Sequence, residues 1–407
     1  MRILLAAIYP YVFLLLYFII PFDDYIRVLP NILLGILVVA FPFIVTKEDF
    51  KKLKKIPTLI FVAFFVYLVG IAFFLDRLEG DLKIIEKVLI ALGLVILYIP
   101  VSDFKKIKTA IVFSSLAAII FSVINIIILS NTSGDFVVGN SPLVIEALLI
   151  DRLYLGVLSV LSILISAQAL SGDYHPNNPY NMANIVINAA FVFVIASKMA
   201  GILIIVLLLL RMLYGKNKKW GIIIASLVVI GGIYSLSTVK IDRNISEETR
   251  IYDNSFSGFI SNTVTWEIRS LVWQCADQIS MSEGFILTGL GFEGTNNKLV
   301  ECYNAEIEDS IKKERFVSGR YNTHNQFIDF YISTGFIGVS LFVLFFILVF
   351  ISVRRKFFPT AMLLSLAYYC MLESVFHRQM GAYYVGFMLI MLLSSHYADE
   401  IKTEKEV

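Results

Sequence analysis

The sequence predicts an all-α polytopic membrane protein with about twelve transmembrane helices and one large loop outside the membrane. Three observations predict it. Of 407 residues, 58% are hydrophobic and only 16% charged, against roughly 25% charged in soluble domains. The mean hydropathy is +0.80. Apolar stretches of spanning length recur along the chain, and a single long polar stretch, 238–325, interrupts them.

The first candidate span, 3–20, follows Arg2. It is longer than a signal-peptide apolar core and has no small-x-small cleavage site, so it reads as an uncleaved span. The next eight fall near 28–46, 57–75, 82–100, 107–130, 143–169, 180–196, 199–214 and 220–237. Three more, 326–351, 357–372 and 380–396, follow the loop. The chain thus divides into an N-terminal bundle (1–237), the loop (238–325), C-terminal spans (326–396) and a tail (397–407).

Lys and Arg concentrate on the cytoplasmic side of membrane proteins. Alternate connectors here are basic: Lys47 to Lys55, Lys105 to Lys108, Arg211 to Lys219, and Arg354 to Lys356; only 170–179 among them is uncharged apart from Asp173. The others are acidic or nearly neutral, as at Asp23-Asp24, 76–81 and 131–142. This pattern puts the N-terminus and tail inside and the loop outside. Merging 180–196 with 199–214 would turn the Arg211 to Lys219 cluster outward, so the two are kept apart.

A few cations run against this trend: Arg152, Lys198, Arg269 and the His377-Arg378 pair. Ionisable groups at membrane depth are costly and tend to be functional. Their convergence on one side suits an anion at headgroup level, for which a lipid-linked pyrophosphate is the natural candidate. Each taken alone also fits snorkelling or structural pairing, with Asp151 and Glu373 as available partners.

Within the loop, 263–280 reads as an amphipathic helix with Trp266, Arg269 and Trp273 on one face. Such a face suits a helix lying in the headgroup belt, and equally an arginine flanked by indoles for a phosphate. Gly284 to Gly294 reads as a chain-reversing turn, since no βαβ context makes it a phosphate cradle. No element is predicted over 295–319. Cys275 and Cys302 fall on the outer side, which leaves a disulfide between them open. Thr323 and Gln326 have capping-box spacing, which would put His324 in the first turn of the tenth span. A helix N-terminus disfavours an imidazolium, so His324 suits proton acceptance from a hydroxyl. The cysteines have no metal-ligand spacing, and there is no Asp-x-Asp or HExxH motif. Neither a metal nor another cofactor is therefore expected, and no basic patch of nucleic-acid type is present.

The segments EIRSLVW (267–273), ILTGLGFEG (286–294) and THNQFIDFYISTGFIGVSLF (323–342) resemble the O-antigen ligase/polymerase superfamily of bacterial envelope glycosyltransferases. DRLYLG (151–156), ASKMAGIL (196–203) and LESVFHRQMGAYY (372–384) add to the likeness, which covers the C-terminal two-thirds. The resemblance implies a GT-C-like membrane fold with a periplasmic loop after the ninth span, in the bacterial inner membrane. It implies metal-independent, inverting transfer of a glycan from undecaprenyl pyrophosphate to a hydroxyl acceptor, either lipid A-core or a second lipid-linked glycan. The family histidine carries over onto His324 and the loop arginine onto Arg269. The family's other arginine follows a serine, where this chain has Ser197-Lys198. The charge is kept there and the bidentate fork lost, and Arg152 is the candidate to supply it. The expected site is thus His324 and Arg269 for catalysis, with Arg152, Lys198, Arg269 and Trp273 on the pyrophosphate. Asn325, Glu373 and Arg378 are secondary candidates. The rival readings are a lipid-glycan transporter, for which the halves lack the expected internal symmetry, and an inactive scaffold.

Overall fold

The computed structural model describes residues 2–133, 148–170, 175–195, 197–215, 268–282 and 287–394. Regular structure among them is helical, apart from one isolated bridge between Leu53 and Ser394. Among the described residues, eight α-helices belong to the N-terminal part: α1 (Arg2–Ile19), α2 (Leu29–Ile44), α3 (Lys55–Phe74), α4 (Leu78–Tyr98), α5 (Phe104–Ser133), α6 (Arg152–Ala169), α7 (Asn178–Val194) and α8 (Lys198–Leu213). The loop contributes α9 (Ile268–Ser282), α10 (Phe292–Glu306) and α11 (Ser310–Gly319). Then come α12 (Gln326–Val353), α13 (Phe357–Leu372) and α14 (Gln379–Leu393).

Ten of the predicted spans coincide with one of these helices, and the sixth does so from Arg152; 143–147 and 220–237 lie outside the described residues, as do Trp266 and the tail. Among the described residues, five helical stretches are long and apolar enough to cross a membrane: 3–22, 55–74, 104–132, 152–169 and 326–353. Shorter apolar helices are α2, α13 and α14. Val39, Phe74, Ile120 and Phe193 point outward and are exposed. An apolar exterior of this kind is what a lipid solvent selects. The sixth helix starts later than the hydropathy suggested, at Arg152, because the Asp151 carboxylate accepts the Leu153 N–H at 2.9 Å and caps it there.

The centre of the bundle is α14, whose residues from Gly381 to Leu393 are all buried. It packs along α4 and against α13. A helix apolar on every face needs an apolar surround, either protein or lipid, and here its neighbouring helices supply it. At one end of the bundle Lys54 N donates to Leu393 O at 2.8 Å, and Lys356 acts electrostatically on Lys54. Tyr214 donates to Arg354 O at 2.6 Å. Three of the basic connectors are thereby gathered near the C-terminus of α14.

At the other end the loop docks onto α4 and α12, and α12 is broken to receive it. Gly335 has φ +73°, a conformation outside the helical region that interrupts the long span. The carbonyls freed by the break accept two loop amides: Leu290 N to Ile332 O and Gly291 N to Ser333 O, both 2.9 Å. Side chains at Gly335 or Gly289 would collide with the facing backbone of Leu287 or Ser333. Arg77 of the α3–α4 connector holds Gly289 O at 2.7 Å, and Asp81 accepts Phe292 N at 2.6 Å at the start of α10. The described part of the predicted turn, 287–291, is non-helical with Gly289 and Gly291 at positive φ; Gly284 lies outside the described residues, and Gly294 is already helical. Residues 295–319, for which nothing was predicted, form most of α10 and α11. With α9 they bury a small second core of Val272, Ala276, Leu299, Tyr303 and Phe316, closed by Ile332 of α12.

Candidate functional site

The site is built where the entry to α12 meets the connector between α13 and α14. Asn325, not Thr323, is the N-cap of α12: its side-chain oxygen accepts Phe327 N at 2.9 Å and Ile328 N at 3.1 Å. The predicted capping box is not formed, because Thr323 is drawn into other bonds. Its hydroxyl meets Ser374 Oγ and Asn325 O, each at 3.0 Å. His324 consequently lies before the helix rather than in its first turn. Its backbone is left-handed, φ +44°, with its N–H held by Asn322 Oδ1 at 2.9 Å. A histidine at positive φ is uncommon and costs free energy, and such strain clusters at functional sites.

The segments 323–329 and 373–377 are zipped together by side chains. His324 Nδ1 lies 3.1 Å from Glu373 Oε2. Gln326 accepts Phe376 N at 3.0 Å and donates to Asp329 at 3.1 Å. His377 Nε2 lies 3.0 Å from the same Asp329 oxygen. Glu373 and Asp329 are both buried. Burial raises the Glu373 pKa, but the His324 bond and the charges of His324, Arg269 and Arg378 outweigh it and hold the carboxyl below its ordinary value. Burial lowers the His377 pKa, and Asp329, with help from Glu373, outweighs it upward. By linkage, the Glu373 contribution to stability is present above the ordinary carboxylate range and is lost as pH falls. The His377 contribution is present below the ordinary imidazole range and is lost as pH rises through its raised value.

Helix α9 clamps both sides of this zip. Arg269 Nε donates to Leu372 O at 2.9 Å, next to Glu373, and Trp273 Nε1 donates to Thr323 O at 3.0 Å, next to His324. The two side chains share a face because they are four residues apart. Arg378 pairs with Asp151 at 3.4 Å and stands over the Tyr154 ring. Of the residues singled out in the sequence, Arg269, Trp273, His324, Asn325, Glu373 and Arg378 are thus brought together. Arg152 and Lys198 lie at the same end, each one residue from a group joined to the cluster. Arg152 follows Asp151, and Lys198 precedes Met199, whose carbonyl accepts Tyr368 Oη at 3.0 Å. Arg269 acts electrostatically on that tyrosine. The His377–Asp329 pair was not anticipated; a histidine three residues before an apolar run gives no sign of its partner. No group of three or more His, Cys, Asp or Glu side chains suited to a metal occurs among the described residues.

One atom stands out chemically. His324 Nε2 is buried and has no hydrogen-bond partner among the described residues. A buried polar atom left unpaired costs about 1–3 kcal/mol, so a group that binds there gains by completing it.

Residues 183–343 match the O-antigen ligase family. The matched segment runs from α7 into α12, less than half of the chain, and it contains Lys198, Arg269, Trp273, His324 and Asn325. The match supports the superfamily resemblance seen in the sequence and a role in polysaccharide assembly by a glycosyl-transferring enzyme. Glu373 and Arg378 lie beyond the O-antigen ligase segment and reach it only through the tertiary fold. No match is found among curated proteins.

Within the O-antigen ligase segment Cys275 is disulfide-bonded to Cys302, tying α9 to α10. Because α10 is anchored by Asp81 and by the Ser333–Thr295 hydroxyl bond of 2.9 Å, the bridge holds the Arg269 helix to the bundle. Closing a loop of this length stabilises by about 3–4 kcal/mol in the chain-entropy view. Cys275→Ser with Cys302→Ser is expected to speed hydrogen exchange across 268–282 and to lower activity several-fold. Wild-type exchange in that double variant would count against the bridge as the anchor of α9.

Proposed function

We propose that the protein is an inner-membrane glycosyltransferase that moves a glycan from undecaprenyl pyrophosphate to an acceptor hydroxyl at the periplasmic face. The observation that carries this reading is the buried, unpartnered Nε2 of His324, clamped beside Arg269 and Trp273 at the loop-bearing end of an apolar helix bundle. The acceptor hydroxyl gives its proton to Nε2 as its oxygen bonds to the anomeric carbon. The bond from that carbon to the pyrophosphate oxygen breaks, and the departing pyrophosphate takes up the negative charge. Arg269, with Lys198 and Arg152, answers that charge, and Trp273 supports Arg269. A pyrophosphate leaves without needing a strong acid, so side chains alone suffice and no metal is required. Displacement in one step from the face opposite the leaving group inverts the anomeric centre.

Purified protein in lipid vesicles, given polyprenyl-pyrophosphate oligosaccharide and either lipid A-core or a second lipid-linked glycan, tests the reading. Transfer to the first acceptor defines a ligase and transfer to the second a polymerase. Movement of the lipid-linked glycan across the bilayer with no new glycosidic bond would overturn the proposal in favour of a transporter.

A further inference from the structure

Glu373 is 8% exposed, and a buried carboxylate needs strong compensation. Its direct partner is His324 Nδ1, the ring nitrogen opposite the unpartnered Nε2. A carboxylate accepts and does not donate when ionised. The hydrogen in this bond therefore sits on Nδ1, and the lone pair of the neutral ring sits on Nε2, the atom without a partner among the described residues. The bond also fixes the ring plane, in a residue whose backbone is already held left-handed.

We infer that Glu373 is a positioning residue for catalysis: it selects the Nδ1–H tautomer of His324, orients Nε2 toward the acceptor hydroxyl, and stabilises the imidazolium formed when that proton is taken. The inference rests on the glycosyl-transfer reading above. Proton balance is simple. The acceptor proton moves to Nε2, the ring carries the positive charge against the Glu373 carboxylate, and the proton is released to solvent after the pyrophosphate departs.

The groups that face Glu373 come from every side of the cluster. They are His324 before α12, Arg269 on α9, Tyr154 on α6, Tyr369 on α13, and His377 and Arg378 on its own connector. Arginine keeps its charge throughout the working range. His377 is held by Asp329 and also feels Glu373, so a readout that resolves the individual histidines is needed to separate the two.

The test compares Glu373→Gln and Glu373→Asp as purified proteins. Glu373→Gln is expected to lower kcat about 10²–10⁴-fold, the range of a positioned general base, with KM for the donor changed only a few-fold. Glu373→Asp should restore part of the rate. Equal losses in both variants, or a loss in Glu373→Gln carried by KM alone, would overturn the inference. A readout independent of activity is ¹⁵N NMR of the imidazoles, since the chain has only four histidines. The His324 resonance should report Nδ1–H in the wild type and lose that single-tautomer signature in Glu373→Gln; an unchanged tautomer in Glu373→Gln would overturn the inference. If the wild-type protein transfers no glycan, the glycosyltransferase reading falls, while the NMR tautomer still decides the pairing.

Discussion

His324→Ala protein is expected to insert normally and to lose transfer activity by about 10²–10⁴-fold, the contribution of a positioned general base. Its Nε2 is buried with no internal partner among the described residues, which leaves it available to accept the proton. The structural cost is separable. Removing the hydrogen-bond partner of a buried carboxylate costs up to about 3–5 kcal/mol when the charge is left uncompensated. Here Arg269 and Arg378 still act on Glu373, so the loss should be smaller. A second variant, His324→Asn, suits the left-handed backbone better than alanine does and keeps a polar group facing Glu373. Both should run as folded, membrane-inserted protein, and both should fail to extend or transfer glycan. Wild-type product from His324→Asn would remove the histidine from the chemistry.

Arg269→Ala is expected to be the second most damaging change, lowering kcat/KM by about 10²–10³-fold, the scale for losing one preorganised donor to developing negative charge. Two consequences add. The charge aimed at the leaving pyrophosphate disappears, and the 2.9 Å anchor to Leu372 O, next to Glu373, goes with it. Arg269→Lys keeps the charge but loses the planar fork and the Nε–H, so it should recover only part of the rate. Inhibition by inorganic pyrophosphate separates the roles. Its inhibition constant should rise at least about tenfold in Arg269→Ala, equivalent to 1.4 kcal/mol of binding, and less in Arg269→Lys. An unchanged constant in Arg269→Ala would mean that the arginine serves only to hold α9 against the bundle.

Much of this architecture was legible in the chain because the signals are local. Hydropathy over spanning-length windows located the apolar helices, and boundary errors were small except at the sixth, where the Asp151 cap decides the start. The 263–280 helix was expected from its periodicity, and its described part, α9, presents Arg269 and Trp273 together as expected. The capping-box reading failed instructively. Thr323 and Gln326 have the right spacing, but each makes a better tertiary bond, to Ser374 and to Phe376 N, and the cap passes to Asn325.

Composition and hydropathy by themselves pointed to a helical membrane protein interrupted by one long polar stretch, and local patterns together with the family resemblance marked His324 and Arg269 as candidates. Those properties depend on interactions within a few residues or on averages over a window. Only the tertiary structure decided that His324 is paired with Glu373, 49 residues away, and His377 with Asp329. It also decided that Cys275 is bridged to Cys302, and that the glycine turn docks on a helix broken at Gly335. Each of these matches a donor or a space on one element to its complement on another, and that match exists only once the helices have packed.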